Sequence, residues 1–298
     1  MRIVIAGGSG FLGTALGASL RVDGHHVAVL TRRPRTPEDV QWDPDDPDGA
    51  WTQALDGATA VVNLAGESIA GRRWTAARKT LLRESRVRTT RALVTAMQRA
   101  DRPPAALING SAIGIYGPHG DEPVTEDTPP GSDFLSILAR EWEAEALGAP
   151  QATRVVLLRT GIVLDPRAGA LPQMALPFTF FAGGPLGSGR QYMSWIHVED
   201  WVALARWAIA TATVSGPLNA TAPEPVTNRE LAKTLGRVLG RPALMPAPAF
   251  ALKLILGEMS EMLLAGQRVL PAKALAGGFT FRYPTLEPAL RALYRRGT

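Results

Sequence analysis

Residues 1–13 run a β-branched apolar stretch, Arg2 to Ala6, straight into four glycines and the start of an apolar helix, and few folds accept that order. A run of this kind reads as a central strand of a parallel sheet. Gly7, Gly8, Gly10 and Gly13 satisfy Gly-x-Gly-x-x-Gly at 8, 10 and 13 and Gly-x-x-Gly-x-x-Gly at 7, 10 and 13. A glycine can take a positive φ in the turn, let a diphosphate approach the backbone, and let the helix pack closely at Gly13. Amides at the head of the helix beginning near Phe11 then form an anion site. Strand, turn and helix in this sequence predict a dinucleotide held by Gly7, Gly8, Ser9, Gly10, Phe11, Leu12 and Gly13.

The second strand, Val27 to Thr31, ends at Thr31-Arg32-Arg33-Pro34, and no Asp or Glu occupies 28–37. An acid at this place holds the ribose hydroxyls of NAD, whereas an arginine accommodates a 2′-phosphate. Thr31 and Arg32 therefore predict NADP. Arg33, beside Pro34, suits a solvated strand end better.

Ala58 to Ala65 is a further buried strand. Ligands lie over the carboxyl ends of an open parallel sheet, so Asn63, Leu64, Ala65, Gly66 and Glu67 should border the cofactor. A helix expected from Thr75 to Ala100 carries Arg86, readable as a cofactor contact or as a solvated helix arginine. Ala105 to Ser111 is the fifth strand, with Ser111 at the nicotinamide end and Tyr116 one loop away. Phe134 to Leu147 is a helix and Arg154 to Thr160 the sixth strand. The alternation predicts an α/β fold, a doubly wound parallel sheet with a smaller C-terminal substrate lobe. We expect residues 1–240 to form the nucleotide domain, with the lobe drawn mainly from 165–240, and 241–298 to form a small helical domain.

Gly183 to Gln191 is a glycine-rich loop, either a mobile lid or a tight connection. His197, at a strand end before a helix, is a candidate base or a hydrogen-bonded structural residue. Thr227 with Glu230 three residues on is a capping pair for the helix that follows.

Composition narrows the partners. Cysteine is absent, which excludes disulfides and thiolate chemistry, and the four histidines have no ligand spacing, so no metal site is expected. The net charge of +5 comes from scattered arginines, with only four lysines, and this argues against nucleic acid. Ala243 to Leu256 is apolar but too short to span a bilayer. Met1 leads directly into the first strand, so no leader is expected, and a cytoplasmic protein with a small-molecule substrate and no membrane partner follows.

The sequence resembles the extended short-chain dehydrogenase/reductase superfamily, and within it the atypical branch of epimerase family proteins. The resemblance rests on Gly7–Gly13, Asn63-Leu-Ala-Gly-Glu67, Arg73-Trp74, Ser85-Arg86, Ser111 to Gly117, Trp142-Glu143, Arg159-Thr-Gly161, Trp195-Ile-His-Val and Leu218-Asn-Ala-Thr-Ala-Pro-Glu-Pro. It covers nearly the whole chain, and the last fifty residues resemble a small domain of unknown function carried by that branch. It implies an NADP-binding Rossmann domain with Thr31, Arg32, Asn63, Leu64, Glu67 and Arg86 at the cofactor, and a homodimer. Active superfamily members use a tyrosine with a lysine four residues later on the helix after the fifth strand; here Leu135 and Ala139 fall at those places. Two readings follow. In one, the chain is an NADP(H)-dependent oxidoreductase or epimerase-like enzyme, with Ser111 orienting substrate and Tyr116, assisted by a cation such as Arg86, moving the proton. Arg73, Trp74, Trp195 and His197 would contact the substrate. In the other, it is a catalytically silent NADP(H) sensor or scaffold.

Overall fold

The computed structural model describes residues 1–295, so the last three residues of the expected 241–298 unit lie outside the described residues. Seven parallel strands form the central sheet: β1 (Arg2–Ala6), β2 (His26–Thr31), β3 (Asp39–Gln41), β4 (Ala60–Asn63), β5 (Ala106–Ala112), β6 (Arg154–Thr160) and β7 (Gly216–Ala220), in the order 3-2-1-4-5-6-7. Chain order reverses between β1 and β4, and the crevice of an open α/β sheet lies there. Alternate residues of β1 feed two cores. Ile3 and Ile5 join Leu16 and Leu20 of α1 (Phe11–Val22) on one face, and Val4 and Ala6 join Leu93 and Met97 of α2 (Ala76–Arg99) on the other. That two-sided burial explains why β1 reads as continuous hydrophobicity.

The remaining helices of eight or more described residues are α3 (Phe134–Leu147), which lies against α2, then α4 (Leu171–Thr179), α5 (Val198–Ala210), α6 (Asn228–Leu239), α7 (Ala249–Leu256) and α8 (Leu286–Arg295), which packs on α6. Thr227 caps α6 through the reciprocal bonds with Glu230 that the spacing predicts.

Packing crosses both expected bounds. Residues 198–220 do not belong to the lobe: α5 packs on α1, and β7 completes the main sheet beside β6. The segment after 241 has no core of its own. Phe281, Leu286, Leu290 and Leu293 are buried in the same cluster as the sheet, and Arg268–Val269 pairs in parallel with Pro123–Val124. Apolar burial decides both outcomes, because β7 is too short and polar (Gly-Pro-Leu-Asn-Ala) to be legible as a strand without its neighbour. No helix of the described residues is long and apolar enough to cross a membrane.

Candidate functional site

At the head of the sheet, Gly7 takes φ +77°, and a Cβ there would lie 2.7 Å from the Leu64 carbonyl carbon and 2.8 Å from the Ala65 nitrogen. The turn is therefore nested on the exit of β4. Gly13 approaches as closely: its Cβ would stand 2.5 Å from the Gly7 oxygen and 2.6 Å from the Gly8 Cα. Gly10 caps α1 with backbone only, and the first turn holds no acid. Thr75, Asp133, His197 and Thr227 each cap α2, α3, α5 and α6 with a side chain. The leading amides of α1 need an acceptor from outside, and a diphosphate supplies one.

One strand over, Arg32 is exposed, and among the described residues no carboxylate lies within ion-pair distance of it. Its carbonyl accepts from the Gln41 amide at 3.0 Å, and Thr31 Oγ1 accepts from the Arg33 N–H at 3.3 Å, so the strand end is fixed. The nearby acid Asp39 faces its own loop. It accepts from the Arg35 and Thr36 N–H groups at 2.7 and 3.0 Å, and the Arg35 bond foremost holds its carboxyl below the usual range.

At the exit of β4 the side chains divide. Asn63 is wholly buried; its amide donates to Thr90 and Asn109 at 2.8 and 2.7 Å and its carbonyl accepts from the Ala65 N–H. The expected cofactor contact of this side chain is therefore corrected: it ties β4 to β5 and α2. Gly66 is exposed beside it, and Glu67 pairs with Arg78 at 3.2 Å. Arg86 donates to the Glu67 and Leu82 carbonyls at 2.9 and 3.1 Å and stacks over Trp142. Burial, then the like charge of Arg78, pulls its pKa down to about 10. Arg86 is a guanidinium without a carboxylate of its own, bracing the Gly66–Glu67 turn.

Ser111 and Tyr116 belong to a buried network that the sequence did not announce. Ser111 donates to Glu143 Oε1 at 2.6 Å, and Arg159 donates to both Glu143 oxygens at 2.8 Å. The same guanidinium donates to the Tyr116 hydroxyl at 2.9 Å, which donates to Asn219 Oδ1 at 2.7 Å. Asn219 and Lys273 give backbone N–H groups to Glu126, so the chain of bonds reaches the C-terminal segment. Burial opposes the charge of Arg159, but Glu143 more than offsets it and holds the guanidinium pKa above its ordinary value. The tyrosine is corrected as the proton carrier. Its side chain is 1 % exposed, burial pushes its pKa up despite Arg159, and its cation is Arg159 instead of Arg86. Signals were present in Glu143, Arg159 and Asn219, all within motifs of the resemblance, but nothing in one dimension says that they touch.

A pH test follows. Since folding favours the neutral phenol, this contribution persists below about pH 10 and is lost as pH rises through the higher folded value. Ultraviolet difference titration should find two of the four tyrosines, Tyr116 and Tyr294, ionising above the ordinary phenol range through burial, and one of the two lost in Tyr116→Phe. A near-neutral inflection removed by that substitution would restore Tyr116 as an acid–base group.

The expected substrate contacts separate as well. Trp195 is fully buried, with its indole N–H on the Glu224 carbonyl, and His197 caps α5 by accepting from the Glu199 N–H while stacking on Tyr283 at 3.9 Å. Both expectations are corrected: one is core and the other holds a helix end. Trp74 is half-buried edge-on to Phe134 at 5.2 Å, and Arg73 is exposed beside Gly257. The glycine-rich loop is a tight connection. Gly184 abuts the Met245 backbone and Gly187 donates to Ala247.

Residues 3–220 match the NAD dependent epimerase/dehydratase family, and residues 247–293 match a domain of unknown function. The chain is 43 % identical over 300 residues to the epimerase family protein YfhF of Bacillus subtilis, across 98 % of each chain. It is 41 % identical over 301 residues to the chloroplastic SDR39U1 homolog of Arabidopsis thaliana, covering 98 % of this chain and 86 % of that one. The crystal structure of human epimerase family protein SDR39U1 with NADPH is similar at a TM-score of 0.93 and 37 % identity, over 99 % of both chains. MoeE5 in complex with UDP-glucose and NAD, 20 % identical over 100 % of this chain and 99 % of that one with a TM-score of 0.77, shares the fold.

Proposed function

The chain belongs to the NAD dependent epimerase/dehydratase family, and from that premise we propose that it is an NADP(H)-dependent oxidoreductase or epimerase-like enzyme acting on a small carbonyl or hydroxyl compound. The observation that carries this reading is the pairing of an uncapped α1 head with an unpaired Arg32 one strand over. Gly7 to Gly13 would hold the diphosphate, Thr31 and Arg32 the 2′-phosphate, and Leu64 to Glu67 with Arg86 the wall beside it. The human relative was crystallised with NADPH, which supports the phosphorylated coenzyme. When bound, the coenzyme supplies hydride exchange. Ser111, committed as donor to Glu143, keeps its own lone pairs for a substrate hydroxyl, while Arg73 and Trp74 border the entrance.

Arg32→Glu should weaken NADPH by about 100-fold and change NADH by less than about threefold, because only the 2′-phosphate loses a charge-assisted partner. Calorimetric titration with both coenzymes measures this; equal losses would move phosphate recognition elsewhere. Stopped-flow oxidation of NADPH against carbonyl compounds and nucleotide sugars tests turnover.

A second reading has its own support. Both nominated catalytic groups, Ser111 and Tyr116, are bonded into the core, and the α3 helix carries neither tyrosine nor lysine. A silent sensor would bind NADPH and NADP with unequal affinity and turn over nothing, since a ligand shifts only equilibria that it binds differentially. Turnover with any substrate class rejects it.

A further inference from the structure

Ser111 is 5 % exposed and Tyr116 1 %, so a substrate that reaches the head of β5 must pass a segment that moves. Residues 245–264 are placed to be that segment. Both ends of this stretch rest on 183–191. Met245 donates to the Gly183 carbonyl at 3.1 Å, Ala247 to the Pro185 carbonyl at 2.9 Å and Gly187 to the Ala247 carbonyl at 2.8 Å, while the Gln191 amide donates to the Leu263 carbonyl at 3.0 Å. Close packing fixes the same feet: a Cβ at Gly184 would run into the Met245 backbone, and one at Gly187 would stand 2.8 Å from the Leu264 side chain.

Between its feet the stretch arches to the opposite wall. Lys79 Nζ, on α2, donates to Glu258 Oε1 at 2.5 Å, and a Cβ at Gly257 would lie 3.0 Å from an Arg73 guanidinium nitrogen. Lys79 also stands over the Phe134 ring at 4.8 Å, and Trp74 meets that ring edge-on. Strand order shows what lies under the arch. β5 sits between β4 and β6; α2 follows β4, and 183–191 belongs to the chain that follows β6. A bridge between those two segments crosses the carboxyl end of β5, where Ser111 lies.

The two attachments are unequal. The feet are held by backbone and amide bonds and by glycine-tight packing. Among the described residues the tip has one ion pair with α2, and its partners are 29 % and 40 % exposed, so solvent screens it. Met259 beside it, 7 % exposed, adds an apolar part. We propose that residues 245–264 form a flap over the substrate entrance, hinged on 183–191 and latched at Lys79–Glu258, which opens at the tip to admit substrate. Lids are drawn from segments with few buried side chains, and α7 buries none of its own. The flap is independent of the coenzyme assignment; its role as an entrance rests on the site at Ser111 proposed above.

Because the chain lacks cysteine, spin labels can be placed without a competing thiol. In the full chain labelled through Ala76→Cys and Glu261→Cys, both exposed positions, double electron–electron resonance should give one short distance. Lys79→Glu sets two carboxylates against each other and should raise the population of a second, longer distance at least about fivefold. The swap Lys79→Glu, Glu258→Lys should return the short distance, which a general loss of packing would not do. One unchanged distance in Lys79→Glu, or a swap that stays open, overturns the flap. Stopped-flow release of NADPH from unlabelled protein tests the entrance, because the nicotinamide end would lie under the arch. Release should quicken at least about threefold in Lys79→Glu and recover in the swap. Opening without faster release overturns the entrance role. Failure of the unmutated chain to bind NADPH strikes the coenzyme reading instead, and the distances still decide the flap.

Discussion

Replacing Gly13 with valine is expected to lower NADPH affinity by at least about 100-fold, close to 3 kcal/mol. The branched side chain has nowhere to go: its Cβ would sit 2.5 Å from one backbone oxygen and 2.6 Å from a backbone carbon, and neither belongs to a flexible side chain. Relief requires α1 to slide away from the turn, which separates its leading amides from the Gly7–Gly10 cradle. Gly24→Val is the control. It takes a positive φ, +76°, which Gly13 does not, but a Cβ there meets nothing within 4 Å, so it should cost about 1 kcal/mol of stability and leave the coenzyme untouched. Equal NADPH affinity in the two variants, by tryptophan quenching or calorimetry, would show that the glycine turn does not position the ligand.

Arg159→Leu is expected to destabilise the fold by about 3–5 kcal/mol, a fall of roughly 10 °C in thermal midpoint. The Arg159 and Glu143 side chains are 7 % and 8 % exposed, so removing the guanidinium leaves a carboxylate buried with Ser111 as its remaining hydrogen-bond donor and takes one bond from Tyr116. Adding Glu143→Leu should recover much of the loss, because the stranded charge is then gone. Breaking the exposed Arg88–Asp45 pair should shift the midpoint by no more than a degree or two, since solvent-exposed pairs contribute about 0–1 kcal/mol. A double variant no more stable than Arg159→Leu would mean that the network contributes through shape and packing, with charge secondary.

The nucleotide-binding half of the molecule was legible because its signals are local. A strand, a glycine turn and a helix over thirteen residues carry their own geometry, and the bounds of α3 and β6 agree with the periodicity residue for residue. The absence of an acid at 28–37 is likewise a property of one short segment. The substrate side was less legible. Trp195 and His197 look like cleft residues by position, yet a parallel pairing of Trp195–His197 with Ile162–Asp165 turns both inward. That pairing spans about thirty residues and leaves no periodic trace.

What the chain's one-dimensional order determined is the class of fold, the glycine turn at the head of α1 and an acid-free end of β2, because each follows from backbone permissiveness or from charge within a few residues. Only tertiary packing decided the rest: that Tyr116 and Ser111 hang on Glu143 and Arg159, that the last segment joins the main core, and that no residue of α7 is fully buried. Those outcomes depend on which distant groups share a low-dielectric interior or miss it, and burial is a property of the folded chain as a whole.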